Sequence, residues 1–208
     1  MMTTDLLHQD WFVDGDGQCQ LRPTPRPWDL LQDHYYLHQF LSDILHILDC
    51  APHDYDQWEH LPQIRRQVRR LILNSYWLTT QRADPDPQTG TTVLPLYDEL
   101  GYPLTVQNVI ALPGIVTPIH NHGTWGVVAL LEGQERHTFW QYVDDGIHIE
   151  PTGQRILNTG EIISFMPDAI HQVETLGTEP AVTFQLYGET QPNARFQFDS
   201  ETLIAKPF

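Results

Sequence analysis

Residues 113–133 read P-G-I-V-T-P-I-H-N-H-G-T-W-G-V-V-A-L-L-E-G, and this stretch decides the fold. His120 and His122 lie two apart in a run of β character, so period-two geometry turns both imidazoles to one face. Two residues rise about 6.6 Å along a strand. Two rings at that spacing can converge on one metal ion at about 2.1 Å from each nitrogen. A third histidine, His171, closes the later run G-E-I-I-S-F-M-P-D-A-I-H, which begins at Gly160. The expectation is a β-barrel holding one metal ion inside.

Working outward, turn signals separate short β-type runs at 92–97, 104–112, 116–121, 125–132, 136–143, 147–150, 154–157, 161–165, 170–176 and 181–188. Many short strands at even spacing indicate an all-β sandwich or barrel. Before them the pattern is helical. Leu30, Leu31, Leu37, Phe40, Leu41, Ile44, Leu45 and Leu48 draw one apolar stripe, and Pro52 follows as a stop. A second helix starts at Pro62 and buries Ile64, Val68, Leu71 and Ile72. Arg65, Arg66, Arg69 and Arg70 read as its solvated face, paired with the chain's many acids, with an anion site as the alternative. Residues 1–27 read as an irregular arm with at most one short strand, and residues 191–208 as a tail on the barrel's outside. The organisation expected is an arm and helices over 1–90, a barrel over 91–190 and that tail, one domain overall.

With 27 acidic residues against 11 lysines and arginines, the net charge of −16 makes nucleic acid and anionic membrane surfaces poor partners. No run approaches 18 apolar residues, the N-terminus has no secretory pattern, and only Cys19 and Cys50 are present. A reducing, cytoplasmic location without disulfides is therefore expected.

The run from Gly114 to His122, a glycine, five residues and then H-x-H, resembles the first motif of the cupin superfamily. Gly160, Pro167 and His171 are similar to its second, with looser spacing. The resemblance covers residues 90–190 and implies a jelly-roll barrel, a double-stranded β-helix with a mononuclear metal near its mouth, held by His120, His122 and His171. Most metal-binding cupins add a glutamate four or five residues after H-x-H, where this chain has Gly126 and Val127. A carboxylate-free triad resembles the thiol dioxygenases, the cysteine dioxygenase branch, and Gly126 resembles its bacterial members. The strand 183–187, T-F-Q-L-Y, is similar to that family's Ser-x-His-x-Tyr, with Thr183 for serine, Gln185 for histidine and Tyr187 retained.

The resemblance implies an Fe(II)-dependent oxidation of a small thiol (cysteine, 3-mercaptopropionate or an aminothiol) by O2 to its sulfinate. Zinc or nickel can occupy such a site in a purified sample. The catalytic residue expected is Tyr187, with Trp125, Gly126, Gln185, Thr183 and His137 around the substrate. Val127, Phe139, Trp140 and Phe165 complete an apolar wall. The family's carboxylate-binding arginine, in a Tyr-x-Arg motif, has no counterpart in residues 91–97, which leaves Arg82, Arg136 or Arg195 as substitutes from elsewhere, or a substrate without a carboxylate, an aminothiol such as cysteamine. The alternative is a cupin of other activity, an isomerase or non-thiol oxygenase, or a non-catalytic ligand-binding cupin. Both monomer and homodimer suit the pattern.

Overall fold

Two antiparallel-rich sheets face each other in the computed structural model, which describes residues 9–24, 35–50, 57–80, 83–144 and 146–207. The strands are β1 (Asp10–Val13), β2 (Cys19–Arg22), β3 (Thr91–Tyr97), β4 (Thr105–Ala111), β5 (Ile119–His120), β6 (Gly126–Glu132) and β7 (Gln134–Tyr142). They continue with β8 (Ile149–Asn158), β9 (Ile162–Phe165), β10 (Ile170–Leu176), β11 (Ala181–Tyr187), β12 (Phe196–Phe198) and β13 (Ala205–Pro207). One sheet has the order β2-β1-β9-β6-β11-β4-β3, the other β13-β12-β5-β10-β7-β8. The fold is the expected jelly-roll barrel.

The seven-stranded sheet is covered on both faces. Its inner face supplies Val128, Leu130, Ile163, Phe165 and Tyr187 to the barrel interior. Its outer face supplies Val127, Ala129, Leu131, Phe184 and Leu186 to a core under α1 (Leu37–Asp49) and α2 (Leu61–Asn74). Burial on both sides explains why G-V-V-A-L-L-E reads as one apolar run instead of alternating. Phe40, Ile44, Ile64, Val68 and Leu71 are fully buried here, each stabilising the docked helices by about 1.5–3 kcal/mol. A short third helix, α3 (Tyr76–Thr80), follows α2. No helix among the described residues is long and apolar enough to cross a membrane.

Four expectations change. The first half of the predicted first helix lies outside the described residues; the described helix starts at Leu37 and keeps the buried stripe Phe40, Leu41, Ile44. The N-terminal arm contributes two strands, and β1 lies parallel to β9 with Trp11 opposite Ile163. The tail likewise adds strands, because β12 pairs with β5 and β13 pairs with β12. Finally, the arginines of α2 are not uniformly solvated: Arg65 and Arg69 are buried. Arg69 donates to Asp10 and to the Gly160 carbonyl, and Arg65 Nη1 donates to Ser164 Oγ at 2.8 Å. A buried carboxylate on β1 needs a cationic partner, and α2 supplies it.

Candidate metal centre

Strand pairing builds the site. In β5 and β10, His120 and His171 are direct cross-strand partners, which puts their side chains on the same face of the sheet. The chain then leaves the strand, and Gly123, at φ +62°, turns it toward β6. A Cβ at Gly123 would stand 2.8 Å from the Gln191 carbonyl oxygen, so this turn admits no larger residue. Between the two histidines, Asn121 faces the other way. Its amide donates to the Ala194 carbonyl at 2.9 Å, and its Oδ1 accepts from the Phe196 N–H at 2.6 Å. Asn121 therefore clamps the C-terminal segment on both sides of Arg195.

The ring centroids of His120, His122 and His171 stand 4.7–5.1 Å apart, and their ligand nitrogens lie within 4.8 Å of one another. His122 Nε2 and His171 Nε2 are 3.0 Å apart. Bonds of about 2.1 Å at right angles around one ion place two nitrogens about 3.0 Å apart, so the pair fits a shared metal. His120 Nδ1 lies 2.8 Å from the Pro118 carbonyl, to which it donates, leaving the Nε2 lone pair for the ion. His171 Nδ1 is buried with no hydrogen-bond partner. The three-histidine group can hold a metal ion, and among the described residues no carboxylate belongs to it.

Electrostatics favour the ligating form. Burial, followed by repulsion from the His120 imidazole and the Arg195 guanidinium, holds His122 well below the usual 6.5. Burial and the charges of His120, His122 and His137 do the same for His171, and burial lowers His120. Because the folded-state values are depressed, the unfolded chain takes up these protons first as pH falls. Metal-free protein is therefore expected to lose stability from about pH 6.5 downward, by at most about 1.4 kcal/mol per pH unit for each of His122 and His171. Thermal melts of the apoprotein between pH 7.5 and 5 check this; a flat melting temperature contradicts it.

Along β11, Thr183, Gln185 and Tyr187 share the interior face. Tyr187 Oη donates to Gln185 Oε1 at 3.2 Å, Gln107 donates to the same oxygen at 3.0 Å, and Gln185 Nε2 donates to Thr183 Oγ1 at 3.1 Å. The Tyr187 ring lies 4.5 Å from that of His122. Burial, reinforced by the Glu135 charge, raises the Tyr187 pKa far above its usual value, so its phenol keeps its proton. Gly126 makes this position available, since a Cβ there would come within 2.7 Å of the tyrosine ring.

A cavity of about 210 Å³ opens beside the triad, lined by His122, Gln185, Tyr187, Thr124, Gln107 and Arg195, with Thr105 and Thr190 at its edge. Among the described lining residues Arg195 is the one cation. Of the other two candidates, Arg136 does not line this cavity and pairs with Glu174 at 2.5 Å across β7 and β10, and Arg82 lies outside the described residues.

The remaining expected pocket residues are divided by the two-sided sheet. Phe139 and Phe165 face the barrel interior, and the Phe165 ring is 4.4 Å from that of His171. Trp125 and Val127 instead pack in the core beneath the helices, and Trp140 packs with the outer cluster around Ile149 and Ile170. His137 lies inside, its ring 5.8 Å from His171, and its Nε2 is 3.2 Å from the buried Glu135 carboxylate. Asn121, Gln107 and Glu135 carry no motif, and their positions follow only from strand register.

No protein-family model matches the chain. Solved structures similar to it include an oxalate oxidase in complex with the substrate analogue glycolate, 19% identical with a TM-score of 0.44 over 58% of this chain. They also include a sugar phosphate isomerase from a cupin superfamily of Silicibacter pomeroyi DSS-3, 20% identical with a TM-score of 0.41 over 54% of this chain and 66% of that one. A cupin superfamily protein from Desulfitobacterium hafniense DCB-2 is 12% identical, with a TM-score of 0.42 over 54% of this chain and 87% of that one. The chain spans 61% of the oxalate oxidase it matches.

Proposed function

We propose that this chain is a mononuclear non-heme iron thiol dioxygenase that converts a small, carboxylate-bearing thiol to its sulfinate, R–SH and O2 giving R–SO2H. The observation that carries the reading is a triad of imidazoles with no carboxylate in it, beside Tyr187 and under Arg195. Three neutral ligands leave the full positive charge of a divalent ion, which favours an anionic, soft thiolate over a neutral substrate. When bound, Fe(II) supplies the Lewis-acid and redox chemistry by which O2 reaches sulfur.

The protein's own groups bind and orient. Arg195 pairs with the substrate carboxylate in the fork geometry that suits a planar oxyanion. Tyr187, kept protonated by burial, holds a proton at Oη beside the reacting centre and can turn it from Gln185 to the nascent sulfinate. Gln185 cannot relay that proton, because an amide does not titrate; its role is to aim the phenol. Phe139, Phe165 and Val128 keep the chamber apolar below the triad and exclude water from the oxidation. A 210 Å³ cavity suits a molecule of amino-acid size.

The test is oxygen uptake by protein loaded with one iron per chain, offered cysteine, 3-mercaptopropionate and cysteamine in turn. Uptake of one O2 per thiol with a carboxylate-bearing member, and a sulfinate product, is expected. No uptake with any of the three overturns the reading, and leaves the isomerase, non-thiol oxygenase or ligand-binding alternatives.

A further inference from the structure

A second cavity, of about 510 Å³, lies outside the barrel, between the β1–β2 hairpin and the first turns of α2. Phe12, Leu61 and Pro62 form its apolar floor, and Arg22, Arg65 and Arg66 bring three guanidinium groups to it. In a chain of net charge −16 with only 11 lysines and arginines, this is a concentration of positive charge against the overall trend. The nearby acids do not balance it. Asp10 already accepts from Arg69, and Glu59 is the other carboxylate on the wall. Among the described residues, the four guanidiniums of Arg22, Arg65, Arg66 and Arg69 thus stand beside the two carboxylates of Asp10 and Glu59.

Arg65 is the telling residue. It is only 4% exposed, although docking α2 onto β1 already has an ionic tie in Arg69 and Asp10. Its Nη1 is used by Ser164, but its Nε has no hydrogen-bond partner and stands 4.0 Å from Asp10. Burial and the neighbouring Arg22 charge both disfavour the cation, and Asp10 opposes them only in part. The Arg65 Nε is shielded beside Asp10, yet the residue lines the cavity and adds its positive charge to those of Arg22 and Arg66 there. Arg22 is held ready by the Phe12 ring, its guanidinium carbon 4.8 Å from the centroid. Helix α2 itself offers little to an anion, because Pro62 in its first turn has no N–H.

We propose that this cavity binds a small organic oxyanion, a carboxylate or phosphate on an apolar body, through Arg22, Arg65 and Arg66. The site is separate from the triad and does not rest on the reading of the metal centre.

Isothermal titration calorimetry on the metal-loaded full chain, at fixed ionic strength, tests it with phenyl phosphate, benzoate and inorganic phosphate. Saturable binding at one site per chain is expected for phenyl phosphate or benzoate, and the tighter of the two assigns the head group. Inorganic phosphate is expected to bind more weakly, since it cannot use the floor. Arg22→Gln and Arg66→Gln should each weaken binding about tenfold while the unliganded melting temperature stays unchanged. Arg195→Gln should leave it intact. The proposal is overturned by absence of saturable heat with all three probes, by binding that Arg22→Gln and Arg66→Gln do not alter, by equal affinity for inorganic phosphate, or by loss of binding in Arg195→Gln.

Discussion

Replacing His171 with Ala is expected to abolish stoichiometric metal binding and, with it, all oxygen uptake, while the barrel stays folded. His171 is central to the group: its ring lies 4.7 Å from His120 and 5.1 Å from His122, and it is the most deeply buried of the three. Changes to groups that merely orient a ligand cost about 10–100-fold in metal affinity, so loss of a ligand must cost more. The stability of the metal-free protein should change little. A large-to-small change leaves a cavity, but it also removes a buried imidazole whose Nδ1 has no partner. Phe139, cross-strand from His171, and Phe165 retain the interior packing. The variant should also lose part of the acid sensitivity of the apoprotein, since one of the depressed imidazoles is gone. Elemental analysis and far-UV circular dichroism on the same sample measure both. One metal per chain retained in a folded His171→Ala protein refutes the site.

The triad was legible because its signal is local in each part: an H-x-H pair in β character, and a histidine closing a second strand. Only register could join the parts, and the pairing of His120 with His171 does so. Trp125 shows where local reading fails. It sits next to Gly126 in the apolar run, yet the sheet is buried on both faces, so hydrophobicity alone could not tell the barrel side from the helix side. Alternation in T-F-Q-L-Y carried that information, since polar residues on a doubly buried strand must face a polar interior. The arginines of α2 failed for another reason. A carboxylate at Asp10, more than fifty residues away, draws Arg69 into the core, and no helical periodicity encodes a long-range ion pair. The arm and tail look irregular in sequence because strands of three or four residues fall below what a period-two pattern can reveal.

Arg195→Gln is expected to raise the KM for a carboxylate-bearing thiol about thirtyfold, with a much smaller change in kcat. A charge-assisted hydrogen bond in a sheltered pocket is worth about 2 kcal/mol, and each 1.4 kcal/mol is a factor of ten in affinity. The residue belongs to the segment that Asn121 clamps and lines the cavity together with His122, within reach of a carboxylate on a substrate bound beside the triad. An interaction made equally in the bound and reacting states appears in KM and leaves kcat largely alone. The same substitution should improve handling of cysteamine, because a cationic amine no longer faces a guanidinium. That crossover separates a substrate contact from a structural role: a merely loosened C-terminal segment would slow both substrates alike. Removing the guanidinium also takes away a positive neighbour that lowers the His122 pKa, so protons should compete for that imidazole from a slightly higher pH in the variant. Equal KM values for Arg195→Gln and the unaltered protein on 3-mercaptopropionate and cysteine would detach Arg195 from the substrate.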